Sequence, residues 1–130
     1  MSGFLIDGAA SGGTATLTLP AGQSVPGNGY YLIATSNVAT AGNLLSAGVS
    51  PNYVGALSMS PSQTSNLVLK NSGGSVYDRA KANPFPAGSN SDVVSMERKD
   101  TPGDGTSAAN WYSAQTAGSS FDVAGPKGTP

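Results

Sequence analysis

The stretch NLVLKNSGGSVYDR, residues 66–79, decides the fold class of this chain. Its two ends, 66–70 and 75–79, are rich in β-branched, aliphatic and aromatic residues, and Asn-Ser-Gly-Gly at 71–74 separates them. Two short β-prone runs around a Gly-Gly turn are typical of a β-hairpin, because glycine adopts the backbone angles that tight turns need. We therefore predict two antiparallel strands joined by this turn.

A second strand pattern lies upstream, at residues 14–19. Ala15, Leu17 and Leu19 alternate there with threonines. An alternation with a period of two residues places one face of a strand on a core and the other in water. We expect Ala15 and the two leucines to be buried and the threonines to be exposed.

The remaining strand candidates are short and are separated by turns that contain Gly or Pro. The run Tyr-Tyr-Leu-Ile-Ala at 30–34 is aromatic and β-branched, which makes it the best candidate for a central strand. About seven to eight short strands of this kind predict an all-β protein with the architecture of a β-sandwich. The other candidates lie at 4–6, 53–57, 92–97, 110–112 and 121–123.

Composition supports a single folded domain. Only 10% of the 130 residues are charged and the net charge is -1, so charge repulsion does not oppose collapse, although the hydrophobic content is only 38%. Gly and Pro account for 27 residues, which suits short strands with frequent turns. We predict one β-sandwich domain over residues 1–124 and an extended C-terminal tail over 125–130.

Charge and residue usage exclude several functions. Six scattered cationic residues and a pI near 4.9 argue against nucleic acid as a partner, since phosphate binding needs a basic surface. No apolar run approaches the length of a membrane span. The chain has no His and no Cys, so we expect no catalytic residues and no enzyme. Abundant Ser, Thr, Asn and Gly favour an extracellular or cell-surface location.

Charge is concentrated in the stretch 95–111, which also holds the only tryptophan. In a strand, Met96 and Arg98 point to the same side. If that side is the core, Arg98 needs an acceptor, because an unpaired buried charge is very costly. We predict a structural ion pair of Arg98 with Asp78 or Asp122, and a core sealed by Trp111.

The loop that follows offers oxygen ligands of the kind that Ca²⁺ prefers, from Asp100, Asp104 and Thr106. Three positions match an EF-hand loop counted from Asp100, but Pro102 replaces a ligand and Trp111 stands where a glutamate is needed. The alternative is a Gly/Asp turn in which aspartate side chains bind local backbone amides. No cofactor is required in that case, and we favour the turn.

Several motifs also follow one another in a characteristic order. They are LTLPAG at 17–22, GYYLIA at 29–34, NLVL at 66–69, NSGG at 71–74, VYD at 76–78, SMER at 95–98, NW at 110–111 and GTP at 128–130. Together they resemble the bacterial lamin-tail domain family. The resemblance implies an immunoglobulin-like β-sandwich without catalytic activity, serving as a structural or protein-binding module of a secreted or cell-surface bacterial protein.

One departure from the family bears on partners. Ser2-Gly3-Phe4 matches a motif that family members place after two further strands, so these first strands are expected to be missing. An unpaired sheet edge would then accept a strand from a peptide, a second copy or another chain segment. The alternatives to a simple structural module are therefore an assembly module completed by strand donation, including a homo-oligomer, and a calcium-stabilised adhesion domain.

Overall fold

The computed structural model describes residues 3–27, 29–35, 48, 50–89, 95–99 and 103–113, and these form an all-β structure. Its helical content is limited to two single 3-10 turns, Ser11–Gly13 and Ala108–Asn110. This confirms the predicted all-β class. The strands are β1 (Phe4–Ala10), β2 (Ala15–Thr18), β3 (Ile33–Ala34), β4 (Tyr53–Val54), β5 (Leu67–Asn71), β6 (Val76–Ala80), β7 (Met96–Arg98) and β8 (Trp111–Ser113).

The predicted hairpin is confirmed as β5 and β6. The Gly74 N–H donates to the Asn71 carbonyl over 3.0 Å, and the Asn71 side chain accepts from the Ser75 N–H over 2.9 Å. Gly74 has a φ of 87°, which side chains with a Cβ rarely adopt. Beyond the turn, Tyr77 forms a bulge, because Leu69 pairs with Asp78 whereas Lys70 pairs with Val76.

The strand order of the largest sheet is β2-β1-β5-β6, and all of its neighbours are antiparallel. The prediction of a central strand at 30–34 is wrong. Only Ile33–Ala34 forms a strand, β3, which pairs in parallel with β4, and Tyr30 is 84% exposed. The central position belongs to β1, whose small residues Gly8, Ala9 and Ala10 are all buried.

A buried glutamine packs against the end of β1 and the 3-10 turn that follows it. Gln63 is only 5% exposed, and its amide donates to the carbonyls of Gly8 and Ser65 over 3.4 and 2.9 Å. Its side-chain oxygen accepts from the Ser60 N–H over 3.3 Å. A Cβ at Gly13 would lie 2.5 Å from this side chain. Close approach of the Gln63 loop therefore depends on glycine at this position.

The apolar core lies on one face of this sheet. Leu17 and Leu19 are 5% and 4% exposed and the threonines beside them are exposed, as the alternation predicts. Ala15, which the alternation also predicts to be buried, is exposed at the end of β2, beyond the irregularity between Ile6 and Ala10. Side chains from the segments around β3 and β4 pack against the same cluster, so the core is enclosed between these segments and the four-stranded sheet. The surrounding side chains are Phe4, Ile6, Tyr31, Ile33, Tyr53, Leu57 and Leu67.

The third sheet is the antiparallel pair of β7 and β8, in which Met96 lies opposite Ser113 and Arg98 opposite Trp111. The strand predicted at 92–97 is observed as β7, although residues 92–94 lie outside the described residues. The strand predicted at 110–112 begins one residue later, as β8. The predicted strand 121–123, the domain boundary at 124 and the tail 125–130 also lie outside the described residues.

The turn of the β5–β6 hairpin gives a direct test of backbone strain. Gly74→Ala is expected to lower the free energy of unfolding by about 1 kcal/mol, because alanine is strained at positive φ. A Cβ at Gly74 would meet no atom within 4 Å, so no clash contributes. Gly27→Ala is the control, since its Cβ is also unobstructed and no positive φ applies. Equal urea midpoints for both variants would contradict the assignment.

Candidate functional site

The register of β7 and β8 separates two sets of polar side chains. Arg98 and Trp111 lie opposite each other, and Glu97 and Tyr112 form the neighbouring pair. Neighbouring residues of a strand point to opposite faces, so these two pairs lie on opposite sides of the β7–β8 sheet. The Tyr112 hydroxyl donates to the Glu97 carboxylate over 2.8 Å. Met96 therefore lies on the same side of the sheet as Arg98, although Met96 is not among the side chains of the apolar core.

Arg98 connects the β7–β8 sheet to the four-stranded sheet. One terminal nitrogen, Nη1, donates to the carboxylate of Asp78 on β6, and the other, Nη2, donates to the carbonyl of Gly103. The side chain of Arg98 is 23% exposed and that of Asp78 is 49% exposed. The structure thus brings together two of the three residues predicted for the ion pair. Asp122 lies outside the described residues.

Trp111 covers this ion pair rather than the apolar cluster. The guanidinium carbon of Arg98 lies 5.6 Å from the centroid of the indole, within the range of a cation–π contact. The indole N–H donates to the Gly105 carbonyl over 2.8 Å. Trp111 is half-buried and does not belong to the side chains that pack on the buried leucines. An indole needs an acceptor for its N–H, and the loop provides one here.

Gly105 is the residue on which these contacts converge. It is buried, and its carbonyl accepts hydrogen bonds of 2.8 Å from the Trp111 indole and from the Lys81 backbone N–H. A Cβ at Gly105 would lie 1.6 Å from the Arg79 carbonyl, which excludes every other residue from this backbone position. The sequence indicated only a Gly/Asp turn here. We call Asp78, Arg98, Gly103, Gly105 and Trp111 the Arg98 clasp.

The candidate calcium loop has the geometry of an aspartate-stabilised turn where it is described. Oδ1 of Asp104 accepts from both the backbone N–H and the hydroxyl of Thr106, each over 2.8 Å. The backbone bond first, and then the hydroxyl bond, lowers the pKa of Asp104. Asp100 lies outside the described residues, among which no group of three or more His, Cys, Asp or Glu residues could hold a metal ion. These contacts favour the turn interpretation.

A second polar cluster lies on the face of the four-stranded sheet opposite the leucines. Lys70 on β5 pairs with Asp7 on β1 over 2.6 Å, and the Thr16 hydroxyl on β2 donates to the other carboxylate oxygen over 2.6 Å. The bond from Lys70, and next the bond from Thr16, lowers the pKa of Asp7. Sequence reasoning missed this cluster because its members are brought together only by the pairing of three strands.

A groove with a volume of about 400 Å³ lies beside β7. Its apolar lining includes Met59, Pro61, Phe85 and Met96, and none of the described residues that line it is charged. Residues 90–94, which join Ser89 to Ser95, lie outside the described part of the chain. The described residues of the groove offer apolar contact. In the described ranges, no helix is long and apolar enough to cross a membrane.

The clasp predicts that arginine cannot be replaced by lysine. Arg98→Lys is expected to lower the free energy of unfolding by about 1–2 kcal/mol, because a single ammonium cannot reproduce the two-armed contact with Asp78 and Gly103 while also stacking on Trp111. The control is Arg79→Ala, at an exposed arginine, for which a change within about 0.5 kcal/mol is expected. Urea denaturation measures both. An Arg98→Lys variant as stable as the wild type would show that the two-armed contact of the guanidinium does not stabilise the fold.

The hydrogen bonds that Asp104 accepts predict that the free energy of unfolding decreases at acidic pH. The pKa of Asp104 in the folded chain lies below its ordinary value of 3.8. Its stabilising contribution is therefore complete above that value and is lost as the pH falls through the folded pKa. Asp104→Asn keeps an oxygen acceptor for Thr106 but does not titrate. We expect its urea midpoint to fall less steeply than that of the wild type below about pH 4. Parallel curves would contradict the assignment.

The chain was compared with protein-family models, with curated proteins and with solved structures, and none of the three comparisons found a match. The resemblance to lamin-tail domains therefore stays a prediction from the motifs.

Proposed function

We propose that this chain is a non-catalytic structural and protein-binding module of a secreted or cell-surface bacterial protein. Its fold in this proposal is an immunoglobulin-like β-sandwich of the lamin-tail type. The observation that carries the proposal is the Arg98 clasp. Within it, Arg98, which comes from the densest group of charged residues in the sequence, joins one sheet to another.

The use of polar side chains supports a structural role. Arg98, Asp78 and Trp111 bond to one another or to loop carbonyls. Lys70 and Asp7 tie two strands of one sheet together in the same way. A catalytic group, in contrast, must present a reactive atom to a substrate. The full sequence also lacks His and Cys, the residues most often used for that purpose.

The placement of the smaller sheets supports the sandwich. Leu69 and Asp78 are cross-strand partners and share one face of the four-stranded sheet. Ile6 pairs with Leu17 on β2 and with Leu69 on β5, so these three side chains lie on that face as well. The segments around β3 and β4 pack on this face through the core, and β7 approaches it through Arg98. Two layers around one apolar core are the arrangement expected of a sandwich.

The location can be tested with antibodies raised against the purified chain. For a secreted or cell-surface module, we expect labelling of intact cells of the source organism, or recovery of the antigen from their medium. Antibodies against a cytosolic marker provide the control for cell integrity. Labelling that requires permeabilisation of the cells would overturn the proposed location and, with it, this function.

A further inference from the structure

The two edges of the four-stranded sheet differ in how they are covered. At the β6 edge, Tyr77 forms a bulge and Lys81 donates its N–H to the Gly105 carbonyl over 2.8 Å. The Arg79 carbonyl lies directly against Gly105. A bulge and a covering loop are two of the means by which proteins protect an edge strand. The loop at Gly105 therefore covers the β6 edge beside Arg79 and Lys81.

Among the described strands, β2 has a neighbour on one side only, which is β1. The Leu19 N–H donates to the Phe4 carbonyl over 2.8 Å, so the backbone of Leu19 faces β1. Successive residues of a strand direct their N–H and C=O groups to opposite sides, and those of Thr16 and Thr18 therefore face away from the sheet. Among the described residues, no hydrogen bond engages the backbone of these two threonines. The edge presents two donors and two acceptors.

The side chains of β2 do not protect this edge either. Its sequence is Ala-Thr-Leu-Thr, without a charge or a proline. The nearest carboxylate, that of Asp7, is engaged by the Thr16 hydroxyl and by Lys70. Natural edge strands commonly carry lysine, proline or an inward charge to prevent pairing. The absence of these features within β2 leaves it compatible with a second strand.

We propose that β2 pairs with β2 of a second copy of this chain, antiparallel and around a two-fold axis beside Leu17. This inference rests on the proposed protein-binding function and names the partner. In this register Thr16 faces Thr18 of the partner subunit, and the reciprocal pair is identical. The two pairs form four hydrogen bonds and use every outward group of both threonines. Self-complementarity of this kind is what a two-fold interface requires.

The uncharged β2 strand and the covering of the opposite sheet edge favour a second copy of this chain as the partner of β2. Neither subunit brings a charged β2 side chain to the contact, so like-charge repulsion does not oppose it. The threonine pairs lie on the outer face, whereas Leu17 approaches Leu17 of the partner subunit on the core side. The combined sheet has β6 at both outer edges, where the bulge at Tyr77 and the Gly105 loop oppose the addition of a further strand. These features favour a dimer over further growth.

The contact involves only four residues of each strand, and it therefore buries much less than the roughly 1,200 Å² typical of stable interfaces. We expect a weak dimer, which is best detected by covalent trapping. The chain has no cysteine. In an equimolar mixture of Thr16→Cys and Thr18→Cys variants, the facing Cα atoms would be about 5.5 Å apart, within disulfide range. Identical positions would be about 8 Å apart, beyond that range.

Under mild oxidation, the mixture is expected to give a covalent dimer of twice 12.8 kDa, whereas each variant alone stays largely monomeric. Sedimentation equilibrium gives a second readout. We expect the apparent mass to rise with concentration for the wild type and for Thr64→Lys, at an exposed threonine outside β2, but not for Thr18→Lys. Equal trapping in all three oxidations, or a wild type that sediments as a monomer throughout, overturns the dimer.

A chain that stays monomeric but binds an added extended peptide at β2 would overturn the second copy and leave the protein-binding function standing. For a peptide bound at β2, we expect binding to be lost in Thr18→Lys and kept in Thr64→Lys. Conversely, cross-linking of the mixture together with antigen confined to the cytosol would support the dimer and overturn the cell-surface function. The experiments can therefore overturn the dimer without overturning the proposed function, and the reverse.

Discussion

The guanidinium of Arg98 is the contact on which the attachment of the β7–β8 sheet depends. Its two terminal nitrogens reach in different directions, to a carboxylate on β6 and to a loop carbonyl. The guanidinium carbon also lies 5.6 Å from the centroid of the Trp111 indole, within the range of a cation–π contact. A planar cation with several fixed donors suits this arrangement better than an ammonium does. One side chain thus joins three separate parts of the chain.

The clasp depends in turn on a backbone position without a side chain. The Gly105 carbonyl receives the Trp111 indole and the Lys81 amide, and the absent Cβ allows the loop to contact the Arg79 carbonyl. The same principle operates after β1, where the absent Cβ of Gly13 leaves room for the Gln63 side chain, whose amide donates to the Gly8 carbonyl. Both contacts require a glycine because a Cβ would overlap with a neighbouring atom.

Structure and interaction are linked through the two sheet edges. The loop that receives Arg98 also covers β6, so the device that holds the sheets together protects one edge. The other edge, β2, has buried leucines on one face and exposed threonines on the other, and its outward backbone groups are unprotected. Among the described residues, the loop at Gly105 covers part of the β6 edge of the four-stranded sheet, whereas none covers the outer edge of β2.

Local signals in the sequence were enough to predict a hairpin, one buried strand face and the need of Arg98 for an acceptor. The Gly-Gly turn identified the β5–β6 hairpin, the alternation identified the buried side of β2 at Leu17, and strand parity predicted an acceptor for Arg98. These signals are local, since each depends on neighbouring residues and on turn chemistry. Other features appear only in the folded chain: β1 lies between β2 and β5, β3 and β4 are parallel, Lys70 pairs with Asp7, and the Gly105 carbonyl accepts from Trp111. Those features depend on the register between distant strands, which residue periodicity does not encode.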